Sequence, residues 1–241
     1  MQRYFVDKQQ INENQIIIDN QDCHHIKDVM RFTTLDKVII NTYDGDVYLA
    51  EIQEINKKTV KLEIIEKQIS NYQPLPLDLG ISLLKKDNFE LVLQKATELG
   101  VRKIIPLNTE RSIIKVDDFS KKSIRYQTIV KEASEQSERS ILPVITDYSD
   151  LASLDLTIYQ HKLFCYAREE SLNIKDELKA LKSTDQVLIL IGPEGDFSKN
   201  EIDYLLSKGF KSVSLGKSIL RSETAAIYVV SLIRFLLEDS L

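Results

Sequence analysis

The sequence contains little of several residues that mark special classes of protein. Its 241 residues include no tryptophan, two cysteines, five prolines and seven glycines. Cys23 and Cys165 lie far apart and form no C-x-x-C motif, which argues against a disulfide framework or a zinc knuckle. No apolar run is long enough to span a bilayer, and the N-terminus lacks the apolar core of a signal peptide. We therefore expect a globular, cytoplasmic protein without membrane contact.

The chain is acidic overall, with a formal net charge of −5. A nucleic-acid-binding protein usually has a basic surface, and the composition as a whole does not indicate one. Residues 95–139 are the exception, with ten Lys or Arg against seven Asp or Glu. This local excess fits either a modest RNA-binding surface or an ordinary solvated helix face.

The pattern of the chain changes near residues 71–80, and we predict two domains, 1–72 and 73–241. The first contains short runs rich in β-branched residues, with the hairpin signal Asp44-Gly45 between two of them. This predicts a small antiparallel β module, barrel-like in form. One interruption has helical spacing and carries His24 and His25, but adjacent residues do not share a helix face, so no metal site is expected.

The second domain is predicted to be α/β with a largely parallel sheet. After Pro76, apolar strand-like runs alternate with helical patterns. Asp87 with Glu90, and Ser198 with Glu201, have the spacing of helix capping boxes.

A glycine-rich turn, LIGPEGDF at 190–197, joins a buried strand to a helix. Open α/β sheets bind ligands where strands end in this way, although such a turn is also common as plain architecture. Four of the seven glycines fall between 192 and 216 and would let the backbone approach a ligand. Walker A and G-x-G-x-x-G motifs are absent, which favours a flat heterocycle over a phosphate group.

A second pattern covers residues 215–237, LGKSILRSETAAIYVVSLIRFLL. The final helix is apolar around most of its circumference, which predicts a core or subunit-interface helix with Ser222 as its cap. Arg221 and Glu223 stand at its start, where a structural ion pair is one interpretation and a functional pair is the other.

These residues together resemble a known family. IGPEGDFSKNEI followed by LGKSILRSETA is similar to the signature of the RsmE family, the bacterial 16S ribosomal RNA uridine-N3 methyltransferases of the SPOUT class. The likeness continues through RYFV, HHIKDVMR, QKATELGVRKIIPLNTERS and EASEQSER, in the same order along the chain.

The resemblance implies a fold, a cofactor and partners. Residues 1–72 would form a PUA-like β-barrel, and residues 73–241 a SPOUT α/β domain with a C-terminal trefoil knot. A homodimer would bind S-adenosylmethionine within the knot and act on 16S rRNA in the assembled small subunit. The cofactor-binding residues implied are Ile191, Gly192, Pro193, Glu194, Gly195, Leu215, Gly216, Ser218, Ile219 and Leu220, with the end of LFCYA as a third loop.

The chemistry suggests roles for a few side chains. Uridine N3 is a poor nucleophile until its proton leaves, so a base and a fixed cation are useful. Arg221 is the candidate cation, and Glu223 and Glu194 are candidate bases, although Glu223 could hold Arg221 and Glu194 could brace its own turn. Arg111 and Arg139 are candidates for RNA phosphate contact or for surface ion pairs.

One residue departs from the family pattern, because Asp196 stands where relatives commonly have a glycine. Aspartate tolerates left-handed backbone angles, so the loop geometry could be retained. Other functions remain open: a SPOUT enzyme acting on tRNA, a catalytically inactive RNA-binding module, and a nucleotide-dependent oxidoreductase or hydrolase. The missing nucleotide motifs count against the last.

Overall fold

The structure, a computed structural model, describes residues 1–85, 87–114, 116–169 and 172–237, with the side chains of 116–118 left out. The chain divides into two compact units. Met1–Gln73 and Ser134–Leu142 form the first, and Pro74–Ala133 with Pro143–Leu241 form the second. The inclusion of residues 134–142 in the first unit was not predicted, since the sequence analysis placed them in the second domain.

The first unit is built on a six-stranded sheet. The strand order is β1-β4-β5-β6-β3-β2, and every pair is antiparallel except β1 with β4, which is parallel. The predicted turn at Asp44-Gly45 joins β4 to β5, and Gly45 takes a φ of +93°. The elements are β1 (Arg3–Val6), β2 (Ile11–Asn12), β3 (Gln15–Asp19), α1 (Asn20–His24) with a π-helical turn (His25–Val29), β4 (Lys37–Thr42), β5 (Val47–Ile55) and β6 (Thr59–Gln68).

The core of this unit follows from strand alternation. Residues two apart, such as Ile16 with Ile18 and Val60 with Leu62, point to one face of the sheet and are fully buried there. The adjacent histidines have separate partners: His24 Nδ1 lies 2.8 Å from the Asp28 carboxylate, whereas His25 Nδ1 lies 3.0 Å from the Tyr4 hydroxyl.

Arg139 belongs to the interior of the first unit. Its side chain is 1% exposed, its guanidinium lies over the Tyr72 ring, and its Nε donates to the Ile141 carbonyl at 3.0 Å. The Arg139 carbonyl in turn accepts from the Asn41 side-chain amide. This corrects the prediction of a phosphate contact, because the guanidinium is not open to RNA and is used for packing.

The second unit contains a seven-stranded sheet in which every pair is parallel. The order is β10-β8-β7-β12-β11-β13, and β9 also pairs with β8. The predicted α/β domain is thus confirmed. Its elements are β7 (Leu77–Ser82), α2 (Asn88–Glu98), β8 (Lys103–Asn108), α3 (Val116–Gln136), β9 (Val144–Ile145), β10 (Ser149–Asp150), β11 (His161–Cys165), α4 (Ile174–Leu178), β12 (Val187–Ile191), α5 (Lys199–Ser207), β13 (Lys211–Val213) and α6 (Ser222–Leu237).

The central strands of this sheet are covered on both faces. Every residue of β7 and of β12 is buried, as expected for parallel strands with helices on either side. None of the helices in the described part of the chain combines the length and apolarity that a bilayer crossing requires.

The predicted helix starts differ in outcome. The box at α5 is confirmed, since the Glu201 amide donates to Ser198 Oγ at 3.2 Å and the Ser198 amide donates to the Glu201 carboxylate at 2.7 Å. The prediction of a capping box at α2 is wrong. The Asp87 side chain accepts no capping bond, and Glu90 pairs with Arg125 of α3. Ser222 is the first residue of α6 and not its cap.

Two parallel bonds hold the pair between α2 and α3. Arg125 donates to the two Glu90 oxygens at 2.7 and 2.6 Å, and this contact keeps the pKa of Glu90 below its usual value. A bidentate charged pair is stronger than a backbone capping bond, which explains why the carboxylate faces α3.

Hydrogen bonds around one buried carboxylate link the amino ends of four strands in the second unit. Asp78, the second residue of β7, is 0% exposed. It accepts two bonds from Arg102, at 2.8 and 2.9 Å, and one from the Tyr159 hydroxyl at 2.5 Å. Arg102 also donates to the Gln186 side chain. These partners precede β8, β11 and β12, so one carboxylate links β7 to all three.

We expect Asp78→Asn to destabilise the protein by about 3 to 5 kcal/mol, because it leaves the Arg102 guanidinium without its charged partner. The measurement is equilibrium unfolding in denaturant. Asp176→Asn, which breaks an exposed pair with Lys179, is the control and should change stability by less than about 0.5 kcal/mol. Equal, small losses in the two variants would contradict the structural role of Asp78.

Candidate active site

Three loops meet at the carboxyl edge of the parallel sheet. β12, β11 and β13 are neighbours, and they are followed by residues 192–197, 166–168 and 214–221. Because parallel strands end at the same edge, loops far apart in sequence lie side by side there, which is where open α/β sheets bind ligands.

The loops enclose a cavity of about 420 Å³, within the range of small-molecule sites. Arg221 and Glu223 line it, as do nine of the ten residues predicted for cofactor binding. Gly195 is the exception and faces a neighbouring cavity. The nine are Ile191, Gly192, Pro193, Glu194, Leu215, Gly216, Ser218, Ile219 and Leu220. The end of LFCYA, implied as a third loop, also lines the cavity through Cys165, Tyr166 and Ala167. The sequence analysis did not name as site residues Asn88, Asp196, Ser214, Ser222 and Ala225.

The backbone of the first loop explains its glycine and its aspartate. A Cβ on Gly192 would lie 3.2 Å from the Phe197 ring and from its backbone nitrogen, so a side chain there would require Phe197 to shift by a few tenths of an ångström. The Asp196 amide donates to the Pro193 carbonyl at 2.9 Å, which closes a tight turn. Asp196 has a φ of +59°, the left-handed conformation that aspartate tolerates better than most residues.

The Asp196 side chain ties two of the loops together. One carboxylate oxygen accepts from the Phe197 amide at 2.8 Å, and the other accepts from the Ala167 amide at 3.2 Å. Nearby, burial raises the pKa of the Cys165 thiol and the charge of Asp196 adds to the effect, so Cys165 is a neutral wall of the cavity.

Glu194 connects the same loop to another strand. Its carboxylate accepts from the Lys85 amide, at 3.1 Å, in the segment that follows β7. The side chain is exposed and has a structural partner, so it braces two segments at the cavity edge rather than its own turn.

Glu223 has an unmet hydrogen-bonding requirement. It is 9% exposed, and its buried Oε2 has no partner among the described residues. Arg221, which is exposed on the cavity wall, forms no ion pair with it in the described structure. The alternative of a structural ion pair is therefore not observed. A buried carboxylate oxygen without a donor is costly, and a bound ligand can supply the missing donor.

The two predicted RNA-binding arginines belong to different units. Arg139 is buried in the first unit, whereas Arg111 lies in the second unit beside the candidate site. Arg111 Nη1 donates to the carbonyls of Gly195 and Phe197, at 2.8 and 3.2 Å, and so supports the glycine-rich turn.

The sequence matches two family models. Residues 71–234 match an RNA methyltransferase domain, and residues 18–65 match an RNA methyltransferase PUA domain. The PUA match, residues 18–65, lies within the first unit. The methyltransferase match begins at residue 71, close to Gln73, where the first segment of that unit ends.

Similar proteins cover nearly the whole chain. Ribosomal RNA small subunit methyltransferase E of Bacillus subtilis is 35% identical over 98% of this chain and 96% of its own length. The protein of that name from Mesomycoplasma hyopneumoniae is 35% identical over 96% and 98%. The Neisseria gonorrhoeae enzyme bound to S-adenosyl methionine has a TM-score of 0.84 at 25% identity, covering 98% of both chains. The chain therefore belongs to the ribosomal RNA small subunit methyltransferase E family, which confirms the resemblance of its motifs.

Proposed function

We propose that this protein transfers a methyl group from S-adenosylmethionine to N3 of a uridine in 16S rRNA, within the assembled small subunit. The observation that carries the proposal is the cavity at the carboxyl edge of the sheet, where a buried oxygen of Glu223 has no hydrogen-bond partner in the part of the chain that the structure describes. Family membership supports the reaction type, as does the S-adenosyl methionine in the Neisseria relative.

The cavity suits this cofactor in size and chemistry. Its volume of about 420 Å³ can hold a nucleoside with an amino-acid arm. Ile191, Leu215 and Leu220 supply apolar walls for the flat base, and the glycine-containing turns expose backbone groups to its edge. When bound, S-adenosylmethionine supplies an activated methyl group on a positively charged sulfur.

We assign the removal of the N3 proton to Glu223 and the stabilisation of the resulting negative charge to Arg221. N3 can attack the methyl carbon only after its proton has left, and we assign that proton to the Glu223 carboxylate, whose Oε2 receives no hydrogen bond from the described residues. Negative charge then develops on the two uracil carbonyl oxygens, and Arg221 offers a fixed charge with paired donors for them. We assign Glu194 a structural role, because its carboxylate already accepts a hydrogen bond from the Lys85 amide.

The final helix supports the proposed homodimer. One side of α6 is buried against the core through Ala226, Val230 and Ile233, whereas Phe235 is 80% exposed and Tyr228 and Leu236 are also exposed. Several large apolar side chains exposed on one helix support a contact surface, whereas a single one would not. The proposed trefoil knot is supported by the strand order β7-β12-β11-β13 and by the return of α6 to β7 and β12.

We expect Glu223→Gln to lower kcat by about 100-fold, since a positioned base contributes this much. S-adenosylmethionine binding should change little, and high pH should restore part of the rate because uracil then loses its N3 proton to solvent. The measurement is transfer of labelled methyl groups to unmodified small subunits, with identification of the nucleoside.

Glu194→Gln is the matched control for Glu223→Gln. It removes a carboxylate from the same cavity but keeps an oxygen that can accept from the Lys85 amide. A greater loss in Glu194→Gln, or a Glu223→Gln rate with the parent's pH profile, would contradict the assignment. Labelling of tRNA alone would exclude 16S rRNA as the substrate without affecting the assignment of the chain to its family.

Two variants distinguish the hydrogen bond between Asp196 and the Ala167 amide from the negative charge of Asp196. Asp196→Gly permits the same backbone angle but removes the bonds to the Phe197 and Ala167 amides. Only the second bond joins two loops, so we expect S-adenosylmethionine affinity to fall about fivefold, the value of one hydrogen bond. Asp196→Asn keeps one acceptor oxygen, which can serve the Ala167 amide, and should bind nearly as the parent does in calorimetry. Equal losses in both variants would assign the effect to the charge, and unchanged affinity in Asp196→Gly would contradict the role of this hydrogen bond.

We expect Phe235→Glu to convert the proposed dimer to a monomer, because it places a charge at the most exposed apolar residue of α6, where dimer formation would bury it. Sedimentation velocity measures the outcome. Leu206→Glu on α5 is the matched control, since Leu206 is also an exposed apolar residue on a helix, at 49%. A Phe235→Glu protein with the parent's mass, or a parent that is already monomeric, would exclude this interface.

A further inference from the structure

A second cavity adjoins the candidate active site, and we call it the basic cavity. Its volume is about 410 Å³, and Arg111, Arg168 and Lys199 line it. Tyr166 and Asp196 line both cavities, so the wall between them is the segment where Asp196 bonds to the Ala167 amide.

The three cations come from separate parts of the fold. Arg111 follows β8, Arg168 follows β11, and Lys199 is the first residue of α5. The parallel sheet brings these positions to the same edge. Among the described residues that line this cavity three are cationic and one, Asp196, is acidic, so the lining has a net positive charge that attracts an anion.

The nearby carboxylates are hydrogen-bonded to backbone amides and not to the three cationic side chains. Both oxygens of Asp196 accept backbone amides, from Phe197 and Ala167. Glu201 is likewise occupied by the amides of Glu110 and Ser198. Within the described residues, none of the three cations is in an ion pair, and the hydrogen bonds of Arg111 use Nη1 alone.

We propose that the basic cavity binds a backbone phosphate of the RNA next to the target nucleotide. The inference depends on the proposed function, because it takes the neighbouring cavity to receive the base that is methylated. A phosphodiester is the anion that RNA carries at every nucleotide, and arginine donors match its oxygens. The amino end of α5, at Lys199, adds a favourable field for the same charge.

The test variants are Arg168→Ala, Lys199→Ala and the double variant. Arg111 is left intact because it supports the glycine-rich turn. Lys179→Ala on α4 is the matched control, since it removes one exposed cation outside both cavities. Binding of unmodified small subunits is measured at several salt concentrations, beside methyl transfer and S-adenosylmethionine affinity.

We expect each single variant to weaken subunit binding by about three- to tenfold and to reduce the slope of log K against log salt by about 0.7 to 0.9. The rate at saturating RNA and the cofactor affinity should stay near those of the parent. Lys179→Ala should match the parent in every measurement.

Unchanged affinity and salt slope in the double variant would overturn the proposal. Inorganic phosphate, titrated without RNA, is the second arm: saturable binding that the double variant loses, with RNA affinity intact, would assign the basic cavity to a free anion. A parent that binds subunits but methylates no rRNA would instead remove the proposed function, so the two failures are distinct.

Discussion

The buried carboxylate of Asp78 is the constraint on which the second unit depends. It joins the amino ends of β7, β8, β11 and β12 through Arg102, Tyr159 and Gln186. Strands that are parallel and fixed at one end must finish at a common opposite edge, so the loops after β11 and β12 lie beside each other. The hydrogen bonds of Asp78 therefore lie at the amino edge of the sheet, whereas the cavity with Arg221 and Glu223 lies at the carboxyl edge.

The carboxyl edge is shaped mainly by backbone, and its reactive groups are few. Gly192 allows the close approach of Phe197, and Asp196 holds two loops through backbone amides. Asp196 and Glu194 already accept hydrogen bonds from backbone amides. Glu223 is different, because its buried Oε2 has no donor among the described residues and a ligand can supply one.

Local patterns predicted what depends on neighbours in sequence. Ser198 and Glu201 form the expected capping box, and the glycine-rich turn at 190–197 indicated one loop of the cavity. The other two loops were implied by the resemblance to the family and not by local patterns. The failures involve distant partners. Glu90 pairs with Arg125, 35 residues along the chain, and Arg139 packs on Tyr72 in a unit to which its segment was not assigned. Arg168 and Lys199 carry no local signal, because only the sheet brings them together.

The net charge of −5 makes the location of positive charge decisive for recognition of RNA. At physiological salt, charges separated by more than about 8 Å are largely screened, so an acidic chain cannot depend on diffuse attraction to its substrate. Cations must then stand where a phosphate is to be placed. Arg168 and Lys199 meet that condition, because one wall separates them from the cavity that holds Arg221 and Glu223. Positioning of the backbone and chemistry on the base thus arise at the same edge of the same sheet.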